Sequence, residues 1–314
     1  MSLIGRLLYK LYYLPKSRKV HIEQFGGVDN YRLMEKGEAD MKAYAFNNLL
    51  FKYTPNQRSK YHLNYLTGEK YLHQSLFCVY SLFRHLTLDE QSDFSIIFYD
   101  DGSLTSGSLI FLKLKHPFIQ VVSAQQTQQK INELLPVDRY PFLHKKRAVY
   151  PHIKKLIDIH LGAMGWQIVL DSDMLFFNKP VQLLVWLKQP KHPFFLFDPV
   201  NSYHYSFSLM EELTGRKLNT HLNVGIAALK SEDINWDILE FWVKTLEEKE
   251  GTSYLLEQAL TAMLVAGKEI IIADQNAYVV KPEPHEVQMP TAVLHHYVAE
   301  SKEWYYKIGW RLIC

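Results

Sequence analysis

The chain has 314 residues, 47% of them hydrophobic and 22% charged, a globular composition long enough for one large domain or two smaller ones. Its 35 Lys and Arg are scattered among 33 Asp and Glu, so the formal net charge of +2 provides no basic footprint and no nucleic-acid partner is expected. With only Cys78 and Cys314, a disulfide framework and a Cys-based zinc site are excluded, which fits a reducing cytoplasm.

The first patterned stretch is Ile4 to Lys19, where Ile4, Leu7, Leu8, Leu11 and Tyr12 recur at helical spacing among Arg6, Lys10, Lys16, Arg18 and Lys19. Residues 1–20 therefore read as a basic amphipathic helical segment, which either packs on its own domain or makes a peripheral contact through residues 4–19 with the inner face of a membrane. No apolar run reaches the ~18 residues that cross a bilayer, and the start lacks the apolar core and cleavage site of a secretory leader. A cytoplasmic protein is expected.

From residue 60 onward, short apolar strands alternate with helical segments, the signature of a single α/β domain with a mainly parallel sheet flanked by helices. The strands are expected at Tyr61–Leu66, Phe94–Tyr99, Phe118–Val122 and Gln167–Leu170. Helices are expected at Glu69–His85, Ser106–Leu114, Gln125–Leu135 and Leu143–Leu161. Past residue 180, Pro180, Pro190, Pro193 and Pro199 break the rhythm. A strand at Val224–Leu229 and helices at about Asn235–Glu248 and Ser253–Ala266 then follow. No internal repeat or linker separates the two halves.

Ligands of open α/β sheets lie beyond the carboxyl ends of the strands. Three of those ends are small and polar: Thr67-Gly68, Asp100-Asp101-Gly102-Ser103 and Asp171-Ser172-Asp173. The last is the sharpest feature. A strand apolar on both faces delivers two carboxylates one residue apart, costly together unless a cation pairs with them. Hard divalent ions such as Mn or Mg take carboxylate oxygens and keep positions open for phosphate oxygens. Phosphatases of the haloacid dehalogenase type also place Asp-x-Asp after a strand, but with Thr or Val two residues beyond the second Asp, where Leu175 stands here.

Leu170-Asp171-Ser172-Asp173, with Phe176, Phe177 and Pro180 after it, resembles the metal motif of GT-A (Rossmann-like) nucleotide-sugar glycosyltransferases, most nearly the retaining family eight that includes glycogenin-like and bacterial galactosyl- and glucosyltransferases. The resemblance implies that Asp171 reaches both metal and ribose and that Asp173 binds the metal. His296-Tyr-Val-Ala299-Glu-Ser-Lys302-Glu303-Trp304 is similar to the family's His-aromatic-x-Gly-x-x-Lys-Pro-Trp segment, implying that His296 is the third metal ligand and that Lys302 contacts the diphosphate. His295 is the neighbouring contender. Ala299 and Glu303 depart from the family's Gly and Pro.

Asn223-Val224-Gly225 resembles the family's Asn-x-Gly strand, where Asn binds sugar hydroxyls, and Glu257-Gln258 resembles an Asp-Gln pair lining the donor sugar. Asp198 and Asp100 are further strand-end candidates for the donor sugar and the nucleotide, with Tyr65 and Thr67 beside Asp100. Arg147 is chosen over Lys154 and Lys155 as the donor-side cation of the helix before the metal strand. The implied reaction is metal-dependent transfer of a hexose from a nucleotide sugar, most commonly a UDP-sugar, to a glycan, lipid-linked or protein hydroxyl, with Gln258, Glu257 and Lys302 at the reacting centre. Residues about 60–180 would form the donor-binding half and about 181–314 the donor-sugar and acceptor half. Retention is implied. Inversion, with Glu257 or Asp198 as general base, a silent sugar-nucleotide-binding protein and a phosphatase are the alternatives. Tyr203, His204, Tyr205 and Phe207 form an aromatic group that either stacks on a sugar or belongs to the core.

Overall fold

The computed structural model describes residues 14–51, 59–201 and 203–314, with side chains from residue 19 on. A helix runs from Leu14 to Gln24. The remainder of the expected basic amphipathic segment, residues 4–13, lies outside the described residues. No helix among the described residues is long and apolar enough to cross a membrane.

In chain order the strands are β1 (Tyr61–Thr67), β2 (Phe94–Asp100), β3 (Ile119–Val122), β4 (Trp166–Leu170), β5 (Met174–Phe176), β6 (Phe194–Phe197), β7 (Leu222–Lys230), β8 (Ile271–Ile272), β9 (Tyr278–Val280) and β10 (Leu294–His296). Seven form one sheet in the order β3-β2-β1-β4-β7-β6-β8, and β5-β10-β9 form a second. In the large sheet β3, β2, β1 and β4 pair in parallel. Strand β7 is antiparallel to both β4 and β6, and β8 is parallel to β6. The α/β class with a mostly parallel sheet is therefore the observed one.

The apolar runs of β4, β6 and β7 follow from burial on both faces, as in sheets covered by helices on each side. Alternate residues serve two cores. Ile226 and Ala228 join Leu63, Phe77 and Phe194 on one face; Val224, Ala227 and Leu229 join Ile157, Trp242 and Leu260 on the other. Tyr203 and Tyr205 belong to the second core, with their hydroxyls donating to the Asn219 and Gly251 carbonyls, so these two tyrosines are structural.

The expected helix Leu143–Leu161 is broken. It is a helix Pro141–Val149, a single tight turn Pro151–Ile153 and a helix Lys154–His160. Pro151 supplies no N–H and pushes Tyr150 out of the helical region, to φ −130° and ψ 93°. A helix Val28–Asn47 that the sequence pattern did not single out packs Met34, Gly37, Met41 and Ala45 against the first core.

Three buried histidines are held neutral by burial: His73 and His116 are pushed down to about 4 and His160 to about 3. In the unfolded chain they would titrate near ~6.5, so below that pH the unfolded state binds protons the folded state refuses. Stability should therefore fall as pH drops from about 6.5 to about 4, each such histidine accounting for on the order of 2 kcal/mol. Thermal unfolding across that range should show a shallower loss for His116→Phe, whose ring packs among Phe51, Phe111 and Phe118. An unchanged slope would show that His116 is already charged in the fold.

Candidate active site

The reversal of β7 builds the site. Because β4 and β6 run opposite to β7, the start of β7 lies beside the ends of both neighbours: Leu170 pairs with Ile226, and Leu196 with Asn223. The chain leaves β4 with the Asp171 N–H donating to the Gly225 carbonyl at 2.8 Å. It turns through Ser172 and enters β5, whose antiparallel partner β10 sets His296 opposite Met174, with the Tyr297 N–H bonded to the Asp173 carbonyl at 2.9 Å. One turn therefore joins two sheets, and its carboxylates face the end of β10.

Asp171, Asp173 and His296 each bring one ligand atom within 4.8 Å of the others. The His296 Nε2 lies 3.3 Å from Asp173 Oδ1 and 3.7 Å from Asp171 Oδ2. It is buried and makes no hydrogen bond to either. The other ring nitrogen fixes the tautomer. Asn223 Oδ1 accepts from the Gly225 N–H at 2.9 Å, so it is the acceptor end of the amide, and His296 Nδ1, at 3.2 Å, must donate to it. With Nδ1 directed to Asn223, Nε2 faces the two carboxylates, an arrangement that a cation between them satisfies. Two carboxylate oxygens and one imidazole nitrogen make a donor set that a divalent cation can use. Strand alternation settles the competing residue: His295 points the other way, packed against Phe177 and Tyr297 and pushed down to about 4 by burial.

Two lysines offset the two aspartates. Lys302 Nζ is 3.0 Å from Asp173 Oδ2, and Lys155 Nζ is 2.8 Å from Asp171 Oδ1 and 3.2 Å from Glu257 Oε2. Burial opposes the charge on Asp173, but Lys302 and His296 outweigh it and hold the carboxyl well below the usual range. The Asp173 carboxylate in turn holds Lys302 above its ordinary value. Lys155 is buried, yet Asp171 and Glu257 keep it charged. Burial pushes the Glu257 carboxyl up to about 7 against the pull of Lys155, so Glu257 is the member of this triad that yields its charge.

Beyond Asn223, Asp198 Oδ2 accepts from Gln258 Nε2 at 3.0 Å and from Asn223 Nδ2 at 3.3 Å. Asp198, Asn223, Gln258, Glu257, Lys155, Asp171, Asp173, His296 and Lys302 thus form one continuous polar chain. Arg147 is not in it. Its guanidinium is bidentate to the buried Asp158 at 2.6 and 2.9 Å, and Lys155, on the far side of the Pro151 break, is the cation that meets Asp171. Asp100 stays at the neighbouring strand end, one oxygen accepting from the Gly102 and Leu104 N–H groups of its own turn. Tyr65 is fully buried with its hydroxyl on Cys78.

Gly225 has a local reason. A Cβ there would collide with the His296 ring, so the glycine leaves room for that ring. Ala299, where the resembling family has glycine, sits at φ +49°, in the left-handed region that favours glycine. Asn223→Ala and Gly225→Ala should each weaken Mn2+ binding roughly 10–100-fold, because each disturbs the ring without removing a ligand. Titration followed by Mn2+ electron paramagnetic resonance checks this, and wild-type affinity in both variants would show that His296 is not a ligand.

No protein-family model matches the sequence, and no match is found among curated proteins. Among solved structures, the chain is similar to mouse xyloside xylosyltransferase 1, with a TM-score of 0.50 at 13% identity over 75% of this chain and 97% of that one. The bifunctional glycosyltransferase WbbM gives a TM-score of 0.49 at 10% identity over 82% of this chain and 52% of that one. The galactosyltransferase LgtC, in complex with donor and acceptor sugar analogues, gives 0.48 at 10% identity over 80% and 94%. At 13% identity the likeness to the mouse protein is one of fold. The chain has the GT-A glycosyltransferase fold.

Proposed function

We propose that the protein is a metal-dependent hexosyltransferase that takes a sugar from a nucleotide-sugar donor, a UDP-sugar, and passes it to an acceptor hydroxyl with retention of configuration. The observation that carries this reading is the buried Nε2 of His296, without a hydrogen bond and aimed at Asp171 and Asp173. A divalent cation held by these three residues, Mn or Mg, would bind diphosphate oxygens and act there as a Lewis acid. Lys155 and Lys302 already sit on the two aspartates, so a dication bound between those aspartates would have positive neighbours that an anionic ligand such as a diphosphate could meet.

In this reading Lys302 opposes the negative charge that grows on the leaving phosphate as the anomeric carbon–oxygen bond breaks. The acceptor oxygen bonds to the same carbon, and its proton passes to a phosphate oxygen of the departing nucleoside diphosphate. Asp198 and Asn223 bind sugar hydroxyls. Gln258, steadied by its bond to Asp198, lies beneath the ring. Retention is the outcome the family resemblance implies, and both candidate bases for inversion are engaged: Glu257 by Lys155, and Asp198 by Gln258, Asn223 and the Val200 N–H. Arg147, tied to Asp158, steadies the segment that carries Lys155 and is assigned no donor contact.

Thermal shift with a panel of nucleotide sugars in the presence of Mn2+ should pick out the donor, since a ligand at 100 times its Kd stabilises the fold by about 2.7 kcal/mol. No shift with any member would remove the assignment. With the donor known, Lys302→Ala should lower kcat by roughly 10²–10³-fold. Proton NMR of the product from an α-linked donor should show an α-anomer; a β-product would overturn retention.

A further inference from the structure

The backbone that delivers Lys302 to Asp173 lacks the glycine and proline that the resembling family has at positions 299 and 303. Ala299 is held at φ +49°, a conformation alanine disfavours, so something outside the segment must keep it there. Lys302 opens a helix of only six residues, Lys302–Lys307, too short to hold itself. Its hold is the helix Val28–Asn47, through contacts on one side of the short helix. Asn30 Nδ2 donates to Glu303 Oε1 at 2.7 Å, and Lys307 Nζ donates to Asn30 Oδ1 at 2.6 Å and to Glu303 Oε1 at 3.0 Å. Gly37 lies so near the Tyr306 carbonyl that a Cβ would collide with it, and Arg311 pairs with Asp40 at 2.9 Å. A second line leads to the acidic turn: Gln74 Nε2 donates to the Tyr306 hydroxyl at 2.7 Å, and its Oε1 accepts from Ser172 Oγ at 3.4 Å.

We infer that the helix Val28–Asn47 is a built-in clamp for the diphosphate lysine, with Asn30, Glu303 and Gly37 as positioning residues that set where Lys302 meets the donor. Glu303 is then the replacement that anchors the segment where the family's proline would stiffen it. Neither Asn30 nor Glu303 contacts Asp171, Asp173 or His296, so loosening them should act on diphosphate binding mainly through Lys302. This inference rests on the proposed transferase reading.

The test is calorimetric titration of the full chain with Mn2+ alone, and with UDP or GDP in saturating Mn2+, whichever diphosphate the wild type binds. Asn30→Ala and Glu303→Ala should leave Mn2+ affinity at the wild-type level and weaken diphosphate binding about tenfold, as a small displacement of a positioned group does. Glu303→Gln, which keeps the acceptor oxygen for Asn30, should restore most of it. In a Lys302→Ala background Asn30→Ala should have no further effect, an outcome that a general loss of stability would not give. Wild-type diphosphate affinity in Asn30→Ala and Glu303→Ala, beside a weakened Lys302→Ala, overturns the clamp and leaves the transferase reading standing. Additive losses in the double variant also overturn it. If the wild type binds Mn2+ but neither diphosphate, the reading and the clamp fall together.

Discussion

The site depends on one constraint: two half-buried carboxylates, one residue apart, are placed at the junction of two sheets. Such a pair is tolerated only with positive charge on it, and everything nearby is arranged to supply that charge. Lys155 approaches from the helix before β4, Lys302 from the helix after β10, and the edge of the His296 ring closes the third side. The reversed strand β7 contributes Gly225, which gives the ring room, and Asn223, which selects its tautomer. The same asparagine donates to Asp198, so the His296 ring and the Asp198–Gln258 pair are held by one amide.

Much of this was legible in the sequence because the chemistry is concentrated in short segments. An apolar run ending in Asp171-Ser172-Asp173 declares both its strand and its charge problem. The spacing of His296 and Lys302 survives even though Ala299 and Glu303 have replaced the residues that usually shape that turn. The alternation of strands and helices gave the class of the sheet. What the pattern left open was the direction of β7, since a buried strand reads the same whichever way it runs.

The unreadable parts have identifiable causes. Arg147 and Lys155 lie on what periodicity presents as one helix, but Pro151 resets the phase, sending Arg147 to Asp158 and Lys155 to Asp171. His295 and His296 are equivalent as letters and separate only when the register of β10 against β5 fixes which one faces the turn. The helix Val28–Asn47 carries a core stripe at Met34, Gly37, Met41 and Ala45, spaced by three and four residues, and that signal was available. Its role was not, because its partners stand some 270 residues away, at Glu303 and Lys307.

The central claim is that Asp171, Asp173 and His296 hold one divalent cation that a donor diphosphate completes. The most direct measurement is an anomalous difference map from crystals grown with Mn2+ and a nucleoside diphosphate. The account predicts a single strong manganese peak touching all three side chains, with Lys302 turned from Asp173 toward a phosphate. Manganese absent from this turn, or bound to it without His296, would contradict the account.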